Sequence, residues 1–475
     1  MKSHLLTLSL LAFSFFCASA AVTAQGQTLR IATYNLDADT GGQTGQMGGT
    51  DAGPGLIPVL EAIGQEHLGP NGSNTGHAQP LDVLALEELD SNGSSVPLTE
   101  TFIVNQLNSY YQSIGLSNVA QYAVADASTV DPTTGSTGGG PSGLIYNTKT
   151  VADLGVSLIN TNFGSNGEAR EPMRFKLAPL VNGVAGPAYT DFYVYVDHAK
   201  SDGSDPTTSA MRRNVEAQDV RANAKSLNNS LNSSLETAHI VYTGDWNIND
   251  SSEQTYQTLI AYSSASPGNA IDTADPDNSW TDSSSASQYW PLLSETAKKL
   301  DYRDDLQLVT SPTITLPGVQ LVTNTLTPFG NGPSAVTYGK SVTTSTALSD
   351  LSNKSTILNY LTTDTDHLPV VADYVVVPPG DMNRDQQVNA SDIMAMITAL
   401  NNLSAYEATT GLSAQQVTLI GDVNGDGKFN SADVQALEKF LAANHGTGIP
   451  APEPASVVLL ALAMPAFVRR IRRRR

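Results

Sequence analysis

Short apolar runs recur between residues 25 and 376, and each stands next to polar residues. Seven of these runs lie at residues 29–34, 83–86, 144–146, 192–196, 240–242, 306–309 and 370–377. Runs of this length between turn residues are typical of strands buried in a layered core. Because helical stretches such as residues 211–227 lie between them, the pattern predicts a layered α/β or α+β domain.

Two further features of this segment predict its surface. Three stretches are rich in Gly, Ser, Thr, Asp and Asn, which predicts surface loops at the rim of a site; they are residues 38–55, 128–142 and 262–288. The helical stretch carries charged residues at helical spacing, which predicts a solvated face. These residues are Arg212, Arg213, Glu216 and Arg221.

The overall charge limits the classes of protein to which the chain can belong. The chain has 475 residues and a formal net charge of −21, and its length predicts more than one domain. A protein that coats nucleic acid passively is basic, so the acidic balance argues against that class. The balance is compatible with an enzyme that meets phosphate through a bound divalent cation.

The N-terminus has the pattern of a secretory signal peptide over residues 1–24. Lys2 and His4 precede an apolar run, and small residues at 18–20 or 22–24 offer a cleavage site. The alternative is a buried first helix. Cys17 is the single cysteine of the chain and is removed with the signal, so the mature protein is predicted to have no disulfide even though it is exported.

Polar residues stand where the predicted strands begin or end. They are Asn35, Glu88, His198, Asp245, Asn247, Asp305, Asp366 and His367. If the strands end side by side, this set gathers carboxylates for a hard cation such as Mg²⁺, amides that orient phosphate oxygens, and two histidines for proton transfer. Phosphate-ester hydrolysis needs these groups, whereas the sequence lacks the G-x-S-x-G elbow of serine hydrolases.

Five segments in order resemble the motifs of the endonuclease/exonuclease/phosphatase superfamily. They are TYNL at 33–36, LALEE at 84–88, DHAKS at 197–201, GDWN at 244–247 and TDHLPV at 365–370. The resemblance covers residues 29–376. It implies a four-layer α/β sandwich of the DNase I-like kind, with the site at one end of two packed sheets.

The resemblance implies a role for each acidic and amide residue of the set. Glu88 binds the divalent cation, Mg²⁺ or Mn²⁺, with Asn35 close to it. Asp366 binds metal or supports the site. Asp245 orients or activates the attacking water, and Asn247 holds the phosphate.

The resemblance also implies the roles of two histidines. His367 is the catalytic histidine, paired with a carboxylate, and His198 contacts the scissile phosphate or acts as an acid partner. Asp305 matches the acidic residue that would pair with His367, although Asp301 and Asp304 compete for the same match.

A basic segment favours a nuclease within this superfamily. Residues 170–175, REPMRF, resemble a segment of DNase I-like members in which the arginine, here Arg170, reaches phosphate. The alternative is that this segment starts an edge strand. Lys200 and Arg213 either meet phosphate or balance nearby acids.

The sequence departs from the common pattern of the superfamily at three positions. Glu87 stands where Gln is usual, Thr365 where Ser is common, and Asp197 where Asn is often found. None of these changes removes a predicted metal ligand or either histidine.

Residues 380–444 contain a duplicated twelve-residue loop of the calcium-binding type. Oxygen-bearing side chains occupy positions 1, 3, 5, 9 and 12 of both loops, and position 7 offers a backbone carbonyl. The two sets are Asp381, Asn383, Asp385, Gln387, Asn389 and Asp392, and Asp422, Asn424, Asp426, Lys428, Asn430 and Asp433. At position 6 the second loop has Gly427 where the first has Gln386, so the first site is expected to be the weaker one.

A helix is predicted after each loop, because apolar residues recur at helical spacing. Ile393, Met396, Ile397 and Leu400 share one face, and Val434, Leu437, Phe440 and Leu441 share another. The duplicated loop–helix unit, with Asp at position 12, resembles a type I dockerin. The resemblance implies a small all-α module that folds with Ca²⁺ and docks to a cohesin domain.

The C-terminus has three parts in order. A Pro-Glu-Pro motif at 452–454 precedes an apolar run at 455–468, and arginines follow. This arrangement resembles the PEP-CTERM sorting signal of Gram-negative bacteria, which implies cleavage by an exosortase, transient membrane contact through the tail, and an extracellular or cell-surface location. The alternative is a simple membrane anchor.

The predicted domain order combines these parts. A signal peptide at 1–24 precedes the catalytic domain at 25–376, a linker at 377–379 and the dockerin-like module at 380–444, followed by a spacer at 445–451 and the sorting tail at 452–475. The predicted function is an exported phosphoesterase, foremost a nuclease. The alternatives are a phosphatase or phospholipase-like (sphingomyelinase-type) hydrolase of a small or lipid phosphate, and a non-catalytic binding or scaffold protein. A glycosidase is disfavoured because paired carboxylates are lacking.

Overall fold

The computed structural model describes residues 27–37, 54–68, 79–89, 98–125, 142–159, 167, 169–181, 183–230, 236–262, 267–294, 299–332 and 338–444. The predicted signal peptide, spacer and sorting tail lie outside these residues, as do most of the predicted loops at 128–142 and 38–55. No helix in the described part of the chain combines the length and apolar character needed to cross a membrane.

The described residues form strands and helices up to the last strand, and only helices follow it. The strands are β1 (Thr28–Asn35), β2 (Val83–Glu87), β3 (Tyr122–Val124), β4 (Gly143–Asn147), β5 (Val151–Leu158), β6 (Met173–Val181), β7 (Val184–Ala185), β8 (Phe192–His198), β9 (His239–Asp245), β10 (Asp305–Val309), β11 (Gly318–Leu321), β12 (Thr327–Pro328) and β13 (Val370–Val377). The helices are α1 (Leu56–Ile63), α2 (Leu98–Ser113), α3 (Pro206–Ser230), α4 (Gln254–Ile260), α5 (Pro312–Thr315), α6 (Lys354–Tyr360), α7 (Ala390–Asn401), α8 (Leu403–Thr410), α9 (Ala414–Gly421) and α10 (Ser431–Asn444).

The strands build two sheets with corresponding centres. The first sheet has the order β11-β13-β1-β2-β4-β3, with β12 also paired to β13, and the second has the order β10-β9-β8-β6-β5, with β7 paired to β6. The pairs β1–β2 and β8–β9 are parallel, whereas their outer neighbours are antiparallel. Each sheet therefore brings two consecutive carboxyl ends of parallel strands to one edge.

The sheets and helices stack in four layers. Along β1, Leu29 and Ile31 belong to the core between the two sheets, while Ala32 and Tyr34 belong to the core under α1, α2 and α6. This alternation follows from the period of two in a strand. The opposite face of the second sheet packs on α3 and α4 through residues such as Tyr242. The predicted four-layer α/β sandwich is confirmed.

All seven apolar runs are strands, but the predicted solvated face of α3 is wrong. Arg213 and Glu216 are 1% and 0% exposed, and Arg221 is also buried. The helix buries mostly small residues, including Ala217 and Ala224, and these leave room for the stems of adjacent charged side chains. The buried charges are paired: the Arg213 guanidinium donates to Glu253 at 2.8 Å and 2.9 Å.

The described part of the predicted surface loop at 262–288 is also more buried than expected. Trp280 and Asp272 are each 1% exposed, and Asp272 accepts two hydrogen bonds from Arg303 at 2.7 Å and 3.0 Å. Arg303 also lies over the Trp280 ring, 5.1 Å from its centroid. Polar composition suggested exposure here, but a buried ion pair organises the segment instead.

The helical module after β13 packs against the sandwich. Leu316, which follows α5, lies in one apolar core with residues of α7, α9 and α10, including Met396 and Leu437. The Gln386 side-chain amide also donates to the Leu321 carbonyl at the end of β11, at 2.8 Å. Leu400, predicted to share one helix face with Met396, is 37% exposed, whereas Met396 is buried.

The shared core predicts that a sandwich residue stabilises the helical module. Leu316→Ala removes a side chain that is 3% exposed, and we expect a loss of about 2–4 kcal/mol in the stability of the module. Leu419→Ala, at a position that is 41% exposed in the same module, should cost less than about 0.5 kcal/mol. Hydrogen exchange of the α7 amides measures both variants, and equal protection in both would contradict the shared core.

Candidate active site and calcium loops

The parallel strand pairs bring the predicted site residues to one edge of the sandwich. In the register, Asn35 lies beside Glu87, and His198 lies beside Asp245. The Asn35 side-chain nitrogen donates to Glu88 Oε1 at 3.2 Å and to Asp245 Oδ2 at 3.0 Å. Asn35 therefore joins the first sheet to the second at the point where both parallel pairs end.

Backbone conformation turns two of these residues away from the strand direction. Glu88 and Asn247 have φ values of +54° and +49°, in the left-handed region that residues other than glycine seldom adopt. Gly244 has φ +127°, and a Cβ there would come within 1.8 Å of the Asp197 carbonyl oxygen. The GDWN motif thus needs its glycine so that β9 can approach β8 closely.

Glu88, His198 and Asp245 could hold a metal ion, because one ligand atom from each lies within 4.8 Å of the others. His198 Nε2 lies 3.2 Å from Glu88 Oε1 and 3.6 Å from Asp245 Oδ2. Two carboxylates at this spacing suit a hard divalent cation. Asn35, in its present orientation, offers its nitrogen to them and accepts from the Asp37 amide with its oxygen.

Asp366, also predicted as a metal ligand or a supporting residue, does not belong to the group formed by Glu88, His198 and Asp245. Its side chain is 46% exposed, and its Oδ1 is 3.6 Å from His367 Nε2. The structure thus places Asp366 on the solvent side of His367.

Asp305 and His367 form a buried pair. His367 Nδ1 lies 2.8 Å from Asp305 Oδ2, so of the three candidate carboxylates Asp305 is the one in contact. The other ring nitrogen, Nε2, lies 3.8 Å from Asp245 Oδ2. Burial acts to lower the pKa of His367, but the neighbouring carboxylates, Asp305 first, outweigh it and hold that pKa well above 6.5.

Burial also shifts the carboxyl groups of the site. It raises the pKa of Asp245 to about 6, where the positive charge of His367 acts to lower it and the negative charge of Asp305 to raise it further. Burial and then the charge of Asp305 raise the pKa of Glu87 well above 4.5. Crowded acids of this kind are stabilised by a bound cation, and the donor set therefore fits one.

Asn247 and Arg170 meet at the segment after β8. The Asn247 side-chain nitrogen donates to the Ala199 carbonyl at 3.1 Å and to Asp245 Oδ1 at 2.9 Å. The Arg170 guanidinium donates to the carbonyl oxygens of His198, at 3.3 Å, and Ala199. The positive charge of Arg170 also lowers the pKa of Asp245. Arg170 therefore contributes to the electrostatic potential of the site.

Three other polar residues of the chain, Arg213, Glu87 and His239, make contacts that stabilise the fold. Arg213 balances Asp202 and Glu253, each at 2.8 Å. Glu87 is buried and accepts a hydrogen bond from Thr33 at 2.9 Å. His239, a histidine without a motif, contacts two backbone carbonyls with its ring nitrogens.

The two calcium-type loops have the same internal hydrogen bonds. In the first loop, the Asp381 carboxylate accepts from the amides of Asp385 and Gln386 at 3.1 Å and 3.0 Å. In the second, Asp422 accepts from Asp426 and Gly427 at 3.0 Å and 2.7 Å. The last acid of each loop, Asp392 or Asp433, in turn accepts from two loop amides.

The loops differ in how they achieve their turns. Gly425 and Gly427 have φ values of +73° and +79° in the second loop, and the equivalent Arg384 and Gln386 both have +63° in the first. The first loop thus adopts the same left-handed conformation without glycine, at a cost in backbone strain.

Comparisons with known proteins address the two parts of the chain separately. The family model described as "Dockerin type I domain" matches residues 379–442, which confirms the predicted dockerin-like module. No curated protein matches the sequence.

Solved structures match the sandwich at low identity. The human Nocturnin catalytic domain with bound sulfate anion is 12% identical, covering 73% of this chain and 94% of that chain, with a TM-score of 0.39. D. rerio TDP2 complexed with single strand DNA product is 14% identical, covering 73% and 99%, with a TM-score of 0.36. An endonuclease/exonuclease/phosphatase family protein from Bacteroides thetaiotaomicron is 14% identical, covering 74% and 96%, with a TM-score of 0.38. Matches of this identity and score assign no activity to the chain.

The Asp305–His367 contact predicts a measurable change in acidity. Asp305→Asn removes the carboxylate that most raises the pKa of His367, and we expect that pKa to fall towards 6.5. Imidazole ¹⁵N NMR follows the titration. Asp366→Asn is the matched control, because Asp366 is half-exposed and its smaller effect should leave a smaller shift; a larger shift in the control would contradict the assignment.

The duplicated loops predict independent calcium sites. Asp433→Ala removes the acceptor for the amides of Asn424 and Asn430 and a predicted ligand. Calorimetric titration with Ca²⁺ should then show a fall from about two bound ions to about one. Asp392→Ala should have the same effect on the first loop, and two ions bound by either variant would exclude the assigned positions.

Proposed function

We propose that this chain is a divalent-metal-dependent phosphoesterase and that its substrate is a nucleic acid. The observation that carries the proposal is the convergence of the Asn35–Glu88–Asp245 junction and the His367–Asp305 pair at one edge of the sandwich. Metal-ligating carboxylates and a buried, carboxylate-paired histidine are groups that can catalyse hydrolysis of a phosphate ester.

In this proposal Glu88 and Asp245 hold Mg²⁺ or Mn²⁺, with Asn35 bridging them and His198 next to both. When bound, the cation supplies positive charge at a phosphoryl oxygen and lowers the pKa of water. Asp366 stands outside this donor group and supports the site from the solvent side through His367.

The protein's own groups move the protons. Asp245 lies beside Glu88 and His198 at the cation site, and it serves as the base that orients water and accepts its proton. Asp305 fixes Nδ1 of His367, which leaves Nε2 directed at Asp245 and the site. The carboxylates around His367 raise its pKa well above 6.5, which favours the protonated ring that donates a hydrogen bond to a phosphate oxygen.

Asn247, Arg170 and His198 form the phosphate side of the proposed site. All three contact, or belong to, the segment after β8, so one short stretch of backbone positions an amide, a guanidinium and an imidazole. Arg170 favours a nucleic acid because its segment at 170–175 resembles one in which the arginine reaches phosphate, and a guanidinium can bind a phosphodiester through hydrogen bonds. A phosphatase or phospholipase-like (sphingomyelinase-type) activity is the alternative.

The remaining parts of the chain concern location. The dockerin-like module binds Ca²⁺ and attaches the enzyme to a cohesin-type partner. The signal peptide exports the chain. The tail makes transient membrane contact until an exosortase cleaves it, at the surface of a Gram-negative-type bacterium or outside the cell.

Hydrolysis assays on the full mature chain test the activity. We expect Mn²⁺- or Mg²⁺-dependent cleavage of plasmid DNA or RNA, with losses of about 10²- to 10⁴-fold in Glu88→Gln and His367→Gln. His67→Gln is the matched control, because His67 pairs with Asp350, outside the proposed donor group, and should keep full activity.

Three outcomes are informative. Cleavage of only a small phosphodiester or monoester moves the substrate to the alternative class. Unchanged cleavage in both site variants overturns the assigned residues. No turnover of any ester by a folded, metal-loaded protein favours a binding or scaffold role.

A further inference from the structure

Glu216 is a buried acid on α3 that none of the proposed catalytic steps uses. It is 0% exposed. Its Oε1 accepts from the backbone amides of Ala169 at 2.7 Å and Arg170 at 3.0 Å, and its Oε2 accepts from the amide of Lys200 at 3.3 Å. Both oxygens act as acceptors, which is the arrangement of an ionised carboxylate.

The amides that Glu216 binds belong to two separate stretches, residues 169–170 before β6 and residues 198–200 at the end of β8. Without a ladder hydrogen bond at this point, buried amides need another acceptor. A carboxylate supplies two, and hydrogen bonds to a charged acceptor are stronger than neutral ones. Glu216 therefore fixes the distance between the two stretches.

These stretches carry the phosphate side of the proposed site. Arg170 makes a second connection between the two stretches, because its guanidinium donates to the carbonyls of His198 and Ala199. Asn247 donates to the Ala199 carbonyl as well. A change in the distance between the two stretches would displace the guanidinium, the imidazole and the amide together.

We propose that Glu216 is a positioning residue that holds Arg170 and the His198–Lys200 stretch in register for a phosphate group, an inference that rests on the proposed function. Glu216 does not contact Glu88 or Asp245 in the described hydrogen bonds. Its loss therefore weakens phosphate binding and turnover while the metal site stays intact.

Two substitutions separate positioning from simple stability. Glu216→Ala removes all three acceptor contacts. Glu216→Gln keeps an oxygen for Ala169 and Arg170 but presents an NH₂ group to the Lys200 amide, so it retains part of the clamp. Gln218→Ala, at an exposed position of the same helix, is the control for helix propensity.

We expect turnover of a small phosphodiester to fall by about 10- to 100-fold in Glu216→Ala, to recover to within about fivefold of wild type in Glu216→Gln, and to stay unchanged in Gln218→Ala. Mn²⁺ affinity should change by less than about twofold in all three. If Glu216 acts through Arg170, its substitution should add little in an Arg170→Ala background, because the two residues form one unit.

Titration of the Mn²⁺-loaded protein with inorganic phosphate gives a readout that does not need turnover. Weaker phosphate binding in Glu216→Ala that is restored in Glu216→Gln supports the positioning role, whether or not the wild-type protein hydrolyses an ester. If the wild-type protein hydrolyses no ester, only the proposed function is contradicted. A folded Glu216→Ala variant with wild-type phosphate affinity overturns the positioning role. So does full additivity with Arg170→Ala, or an equal loss of Mn²⁺ affinity.

Discussion

The hydrogen bonds from Asn35 to Glu88 and Asp245 are the contact on which the candidate site depends. They join the ends of two different sheets, and such a contact forms only where both sheets end at the same edge and face each other. The parallel pairs β1–β2 and β8–β9 provide that edge, and the inter-sheet core holds them at a fixed separation. The apolar core thus fixes the geometry of the polar site. A bound cation would stabilise the acidic groups that are crowded at the junction.

Much of the sandwich could be predicted from the sequence because its central strands are largely apolar. β1, β2, β8 and β9 are buried on both faces, and burial on both faces leaves an apolar run in the sequence. β5 escaped prediction because it lies at the sheet edge and is half-exposed along its length, so polar residues interrupt its pattern. β6 alternates apolar residues with Arg174 and Lys176, which reach solvent or partners at that face.

The candidate site was predictable in its members but not in its arrangement. Residues such as Asp245 and His367 follow from where apolar runs end or begin. The left-handed backbone at Glu88, the direction of the Asn35 amide and the clamp at Glu216 depend on tertiary contacts, and local spacing does not encode these. The α3 prediction was wrong for the same reason: charged residues at helical spacing look solvated unless the acceptors and donors that bury them, here distant backbone amides and Glu253, are known.

The proposed function depends on a divalent-metal site formed by Glu88 and Asp245 at the junction of the sheets. A crystal of the full mature chain soaked in Mn²⁺, measured for anomalous scattering, tests it most directly. We expect a peak at about 2.0–2.3 Å from a carboxylate oxygen of Glu88 and beside Asp245, separate from any ions in the two calcium-type loops, and its loss in Glu88→Gln. Mn²⁺ found only in those loops, with the junction empty at saturating concentration, would contradict the account.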